Sequence, residues 1–320
     1  MSLPTVVFLD RATIPAYIRL PSLPFAHHWF EFDFTSAEQA LDRLSQADIV
    51  ITNKVVLDRA LLSQCPKLRL IAVSATGVNN VDVDYCREAG IALVNVQGYA
   101  TRSVPEHVVG MIYALRRNLF AYHQDIANGE WQRNQQFCFF THPIGDVAGS
   151  TLGIVGSGAL GQATATLARA IGMQVIFSER KGAKLCQQGF MPFEQMLAEA
   201  DVVSLHCPLS EQTRNLIGEN ELKMMKPNAL LINAGRGGLV DEQALVTALK
   251  SGQIAGAGVD VFSREPADKT NPLLANMDLP NLLLTPHVAW GSDSAISQLA
   301  TILMDNIAAF ERGEHKNRVC

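Results

Sequence analysis

Residues Thr151–Arg180, TLGIVGSGALGQATATLARAIGMQVIFSER, constrain the fold more than any other stretch of this chain. An apolar run, Leu152–Val155, leads directly into Gly156-Ser157-Gly158-Ala159-Leu160-Gly161, a G-x-G-x-x-G. Ala163, Ala165, Leu167, Ala168 and Ile171 then give a helix with one apolar face, and Gly172 closes it. Val175, Ile176 and Phe177 begin a second strand that stops at Ser178-Glu179. Strand, glycine-rich turn, helix and strand in this order form the dinucleotide fingerprint in the context it requires. Gly156 serves the tight turn, Gly158 the approach of backbone to a pyrophosphate, and Gly161 the packing of helix on strand. The N–H groups at the helix start face the phosphate charge. Glu179, eighteen residues after Gly161, stands where an acid accepts hydrogen bonds from the adenosine ribose.

The fingerprint begins only at residue 151 of 320, which leaves room for a second domain before it. The first hundred residues carry their own strands, Val6–Leu9, Ile49–Thr52, Leu70–Val73 and Ala92–Val96, with a helical pattern at Ser36–Ser45. That alternation predicts a small parallel α/β domain. His27-His28-Trp29 falls in a loop-like stretch without metal-ligand partners at suitable spacing, so a structural role is expected. Beyond the fingerprint, strands are expected at Val202–Leu205, Leu230–Asn233, Gly258–Val261 and Leu282–Leu284. Helices are expected at Pro105–Leu119, Glu242–Ser251 and Ala295–Arg312. Asn128–Gly149 has no clean period and reads as an extended excursion suited to a subunit contact.

Composition narrows the function. With 48% hydrophobic and 18% charged residues and a net charge of −5, the chain shows no basic signature for nucleic acid. Its apolar runs are strand-sized, so no membrane span is expected, and its first residues enter a strand rather than a signal peptide. Cys65, Cys86, Cys138, Cys186, Cys207 and Cys320 are scattered without metal spacing, which implies a reduced, cytoplasmic protein and no metal.

Ligands of open α/β sheets sit outside the carboxyl ends of the strands, so the residues there carry the chemistry. Leu230–Asn233 is followed by Ala234-Gly235-Arg236-Gly237-Gly238, Gly258–Val261 by Phe262-Ser263-Arg264-Glu265-Pro266, and Leu282–Leu284 by Thr285-Pro286-His287. A guanidinium, a carboxylate and an imidazole on three strand ends make an acid–base constellation. In the first domain, Thr76, Gly77 and Val78 form a small polar loop after a strand and can offer N–H groups to a carboxylate. Lys54 follows another strand end.

Together these pieces resemble the NAD-dependent D-isomer-specific 2-hydroxyacid dehydrogenases over nearly the whole chain. The matching parts are the fingerprint with Glu179, N-A-G-R-G at 233–237, V-D-V-F-x-x-E-P at 259–266 and T-P-H at 285–287. The spacings of 29 residues from Arg236 to Glu265 and 22 from Glu265 to His287 also fit. The resemblance implies two doubly wound parallel-sheet α/β domains. A Rossmann cofactor domain, 101–287, is inserted in a smaller flavodoxin-like substrate domain, 1–100 with 288–320. It also implies Arg236, Glu265 and His287 as the catalytic set.

Implied cofactor contacts are Gly156, Ser157, Gly158, Ala159, Leu160 and Gly161 at the turn, and Glu179 and Arg180 after the second strand. His206 and Pro208 are expected near the adenosine; Cys207 and Thr213 are further cofactor-binding candidates, Thr213 also reading as a helix-cap position. Ala234 and Asp260 are expected near the nicotinamide, and Gly235, Arg236, His287 and Gly291 are further cofactor-binding candidates. Lys54, Thr76, Gly77, Val78, Arg236, His287 and Trp290 would bind substrate. Glu179 argues for NAD over NADP, although Arg180 and Lys181 directly after it suit a 2′-phosphate.

Within the family the chain is most similar to glycerate dehydrogenases, also called hydroxypyruvate reductases. The cues are A-T-G-V-N-N-V-D at 75–82, N-V-Q-G-Y at 95–99 and H-V-A-W-G at 287–291. A glyoxylate, D-lactate or phosphoglycerate enzyme and a non-catalytic nucleotide sensor remain as alternatives. A homodimer joined through the cofactor domains is the family habit, with Phe137-Cys138-Phe139-Phe140 as a contact candidate.

Overall fold

The computed structural model describes Leu3–Cys320. The chain forms two compact units: one runs through Ala100 and resumes at Gly291–Cys320, and the other is Thr101–Trp290. Val288–Trp290, read from sequence as part of the first unit, group with the second. The N–H groups of Val288 and Ala289 are held by the Asp260 carboxylate.

In the first unit, strands β1 (Thr5–Phe8), β2 (His28–Glu31), β3 (Ile49–Thr52), β4 (Leu70–Val73) and β5 (Ala92–Val94) lie in the order β2-β1-β3-β4-β5, all parallel. Strands β3 and β4 are apolar at almost every position and buried throughout, as expected when helices cover both faces of a parallel sheet. Val7, Val50, Ile71, Val73 and Leu93 meet Leu44, Leu57, Leu62 and Cys86 in one core. The helix Ala37–Leu44 is fixed by a capping box between Ser36 and Gln39, and Val83–Ala89 by the Asp82 carboxylate and a left-handed Gly90. The final helix, Asp293–Glu311, buries Leu299, Leu303 and Ile307, and the tail after it returns Val319 N–H to Leu93 O at 2.7 Å. The stretch read as a loop around His28 is instead the edge strand β2, held by backbone pairing to β1 while its side chains stay largely exposed.

The second unit carries seven parallel strands in the order β12-β11-β10-β9-β6-β7-β8. They are β6 (Thr151–Val155), β7 (Gln174–Ser178), β8 (Phe190–Met191), β9 (Val202–Leu205), β10 (Leu230–Asn233), β11 (Gly256–Val259) and β12 (Leu282–Leu284). The order in which successive strands are laid down reverses between β6 and β9, the point in an open parallel sheet where a ligand crevice lies at the carboxyl ends of the strands. The core gathers Val203, Leu205, Leu231, Ala257 and Val259 with Met196, Leu197, Leu245 and Leu249 from flanking helices. Truncating one such leucine costs roughly 2–5 kcal/mol. The excursion expected at 128–149 contains a short helix, Glu130–Asn134. No helix among the described residues is long and apolar enough to cross a membrane.

Asp201 locks the start of this sheet. Its carboxylate accepts Thr151 N–H at 2.9 Å, and Lys226 Nζ lies 3.0 Å from its other oxygen. Burial alone would raise this carboxyl, but the Thr151 N–H and the Lys226 ammonium outweigh it and hold the group below its ordinary value. A depressed acid contributes stability above its unfolded value and loses that contribution as pH falls through the folded one. Asp201→Ala is therefore expected to cost roughly 1–3 kcal/mol at neutral pH. In thermal melts, the gap to the wild type should close only below the ordinary aspartate range.

Candidate active site

At the carboxyl end of β6 the chain turns at Gly156, whose φ is 106°. A Cβ there would come within 2.7 Å of the His206 and Cys207 backbone after β9, so glycine lets the turn lie against the neighbouring strand end. At Gly161 a Cβ would meet Gly156 O at 2.0 Å, so the helix Ala159–Ala170 rests directly on the turn. Gly158 faces open space, with nothing within 4 Å of a Cβ position. A bare turn, an open approach and the first N–H groups of a helix at Ala159, Leu160 and Gly161 fit a dinucleotide pyrophosphate.

Glu179, directly after β7, is buried and ionised. Its oxygens accept Arg180 N–H at 3.0 Å and Gln187 N–H at 3.1 Å, and those two bonds, Arg180 first, hold it below the usual glutamate range. Each oxygen retains a lone pair for a ribose hydroxyl. His206 Nε2 lies 2.9 Å from Ser204 Oγ, and burial pushes the ring down to about 4, so it is neutral at physiological pH. Thr213 is tied into its own loop: its hydroxyl accepts Ser210 N–H at 2.7 Å and donates to Pro208 O at 2.8 Å.

Three strand ends carry the candidate acid–base residues. Beyond β10, Asn233 Oδ1 accepts Gly235 N–H at 3.2 Å and its Nδ2 donates to Arg236 O at 3.0 Å, which shapes the turn under the guanidinium. A Cβ on Gly237 would lie 1.7 Å from Phe262 O, so this turn touches the loop after β11 as only glycine permits. In that loop Glu265 Oε1 accepts Phe262 N–H at 2.9 Å, and Oε2 lies 2.7 Å from His287 Nδ1. A carboxylate only accepts, so Nδ1 carries the hydrogen and Nε2 is left for chemistry. Nε2 bonds to no described residue. The structure thus couples Glu265 to His287, while Arg236 turns Nη1 onto Gly235 O at 2.8 Å.

His287 itself has φ 56°, in the left-handed region. Asp260, with no exposed surface, enforces this turn. Its carboxylate accepts Thr285 Oγ1 at 2.5 Å, Val288 N–H at 2.9 Å and Ala289 N–H at 2.9 Å, and its carbonyl accepts His287 N–H at 2.7 Å. His107 Nε2 stands 3.1 Å from Thr285 Oγ1, and Ser103 Oγ donates to Trp290 O at 3.0 Å. The first turn of the helix Ser103–Arg116 therefore reaches the histidine loop as well as beginning a helix. Trp290 Nε1 donates to His287 O at 3.0 Å. The supporting roles of His107 and Thr285 escape sequence reading, because one lies 178 residues from the other.

Lys54, Thr76, Gly77 and Val78 belong to the first unit. Asp10, itself buried, accepts the N–H groups of Asn53 and Lys54. Thr76 Oγ1 donates to Val96 O at 2.8 Å, and Asn95 Nδ2 donates to Thr76 O at 2.7 Å. Among the described residues no three His, Cys, Asp or Glu side chains gather as a metal site.

Comparison with known proteins identifies the family. Residues 109–289 match the family description "D-isomer specific 2-hydroxyacid dehydrogenase, NAD binding domain". A glycerate dehydrogenase of Methylorubrum extorquens is 46% identical over 98% of this chain and 98% of its own length. A hydroxypyruvate reductase of Blautia hydrogenotrophica is 35% identical over 89% of this chain and 88% of its own. Among solved structures, an NADPH-dependent glyoxylate/hydroxypyruvate reductase of Sinorhizobium meliloti, in complex with citrate, superimposes with a TM-score of 0.81. It is 27% identical and covers 99% of this chain and 98% of that one. The family match over residues 109–289, and relatives of this kind along nearly the whole length, place the chain in the family of D-isomer-specific 2-hydroxyacid dehydrogenases, NAD-dependent oxidoreductases.

Proposed function

We propose that this chain interconverts hydroxypyruvate and D-glycerate using NADH and NAD. The 2.7 Å contact between Glu265 Oε2 and His287 Nδ1 carries the chemistry, and similarity to glycerate dehydrogenase supports the substrate. Gly156–Gly161 and Glu179 would hold NADH, which when bound would supply the hydride that reduces the keto carbon. His287 Nε2 donates the proton that the carbonyl oxygen takes up, and in the oxidative direction the neutral ring takes it back. Glu265 orients the imidazole and balances its charge. Arg236 swings from Gly235 O to pair with the substrate carboxylate in two parallel bonds and stabilises negative charge building on the oxygen. Thr76, Gly77 and Val78 offer backbone N–H groups to the carboxylate, with Lys54 adding positive charge and Trp290 bounding the substrate. Ala234, Gly235, Asp260 and Gly291 serve the nicotinamide end, and Arg180, His206, Cys207, Pro208 and Thr213 the adenosine end.

Glyoxylate is the second reading, supported by the double name of the Sinorhizobium meliloti reductase. Steady-state NADH oxidation with hydroxypyruvate, glyoxylate, pyruvate and 3-phosphohydroxypyruvate decides between them through kcat/KM. Hydroxypyruvate is expected to lead; a higher kcat/KM for glyoxylate would replace the assignment, and no turnover with NADH still bound would point to a sensor.

Phe137 and Phe140 are 89% and 77% exposed, and Phe120, Leu119 and Trp131 are exposed nearby in sequence. Apolar surface of this kind on one segment suits a homodimer contact. All six cysteines are free thiols, which suits the reducing cytoplasm.

Two experiments follow. His287→Ala is expected to lower kcat about 10²–10⁴-fold while NADH affinity is kept, and Glu265→Gln to lower kcat by a smaller factor. Unchanged turnover in His287→Ala would remove the histidine from its role. For assembly, light scattering should give a mass of two chains, falling to one in the double variant Phe137→Asp, Phe140→Asp; a wild type already monomeric defeats the dimer.

A further inference from the structure

Strand β7 ends on three charges in succession, Glu179, Arg180 and Lys181. Glu179 is fixed by two backbone N–H groups, as described above. Arg180 is exposed and forms no ion pair among the described residues. Lys181 is drawn aside: its Nζ lies 2.9 Å from Glu221 Oε1 and 6.0 Å from the centroid of the Phe193 ring. Glu221 is only 8% exposed, and its other oxygen accepts Gly218 N–H at 3.0 Å, capping the helix Glu219–Met224. Its carboxylate is thus held from two sides, by a helix start and by the lysine.

We propose that Glu221 is a cofactor-specificity residue: by holding Lys181 it withdraws one cation from the residues that follow Glu179 and so sets a preference for NADH over NADPH. The inference rests on the reading of Glu179 as the ribose-binding acid. The four side chains Glu179, Arg180, Lys181 and Glu221 cancel in charge, so a ribose 2′-phosphate, which is dianionic or nearly so, meets the Glu179 carboxylate without a net attraction to offset it. Burial works to raise the Glu221 carboxyl, but the Lys181 ammonium and the Gly218 N–H hold it below the usual glutamate range. It therefore remains charged at neutral pH, and the latch stays closed there. Removing its charge leaves the cluster one unit positive and releases a long, flexible ammonium.

Glu221→Gln tests this cleanly, because the amide oxygen can still accept Gly218 N–H while the ion pair is lost. Calorimetric titration of the purified protein with NADPH and with NADH gives both dissociation constants without turnover. Glu221→Gln is expected to tighten NADPH by roughly 5- to 20-fold at low ionic strength, with less gain in high salt, and to leave NADH within about twofold. Adding Lys181→Met to that variant should abolish the gain. Lys181→Met alone, which leaves a buried acid unpaired near the site, should weaken NADPH relative to NADH. A ratio of the two constants that neither Glu221→Gln nor Lys181→Met alters overturns the proposal, as does a gain that survives in the double variant. Glu179→Gln separates the underlying reading: if it too leaves the ratio unchanged, the ribose assignment falls and the latch with it. If it shifts the ratio while Glu221→Gln does not, the latch alone falls.

Discussion

The histidine of this candidate site depends on a buried carboxylate that stands outside the Glu265–His287 contact. Asp260 has no exposed surface, yet it remains hydrogen-bonded on both oxygens, to Thr285 Oγ1 and to the N–H groups of Val288 and Ala289. A carboxylate in such a place is tolerable only when its desolvation is compensated by good donors, and here the donors are the histidine loop itself. Removing the acid would take the partner from the N–H groups of Val288 and of the buried Ala289, and would leave the Thr285 hydroxyl with only its contact to His107, a larger penalty than the bonds alone suggest. The left-handed turn at His287 is thereby over-determined, as expected for backbone held in a sparsely populated region at a functional site.

The same residue joins three strand ends. Asp260 N–H donates to Asn233 O at the end of β10, its carbonyl accepts His287 N–H beyond β12, and it sits itself at the end of β11. The contact of Gly237 with Phe262 O closes the gap between the arginine turn and the glutamate loop. Parallel strands in register deliver these loops to the same edge of the sheet, so residues far apart in sequence need only short turns to meet. The geometry of the acid–base pair is therefore a property of the sheet, refined by two close backbone approaches.

Much of this was legible in the sequence, and the exceptions have physical causes. The fully buried strands β3, β4, β9 and β10 are apolar runs bounded by polar turns, and their limits were read without error. β11 was displaced by two residues because Gly256-Ala257-Gly258 looks like a loop. These glycines lie in the sheet where the helix Ser103–Arg116 packs close, and a Cβ on Gly258 would stand 2.9 Å from Met111 Sδ. β2 was missed because an edge strand with exposed side chains owes its existence to backbone pairing with β1, a non-local interaction that leaves little mark on local composition. Glu265 and His287 were visible from their positions after strands. The supports beneath them were not, since His107, Thr285 and Asp260 meet only once the helix and the sheet have packed.

The interrupted connectivity of the first unit has a consequence for biosynthesis. Its sheet is encoded within the opening hundred residues, but the helix Asp293–Glu311, whose Asn306 donates to Asn95 O, is translated after the whole second unit. The tail that pairs with β5 comes later still. On the ribosome, the inserted unit can collapse around its own contiguous core while the earlier sheet waits with one face uncovered. Until that helix has been made, the strands of the first unit carry the unfinished apolar surface and are those most in need of protection.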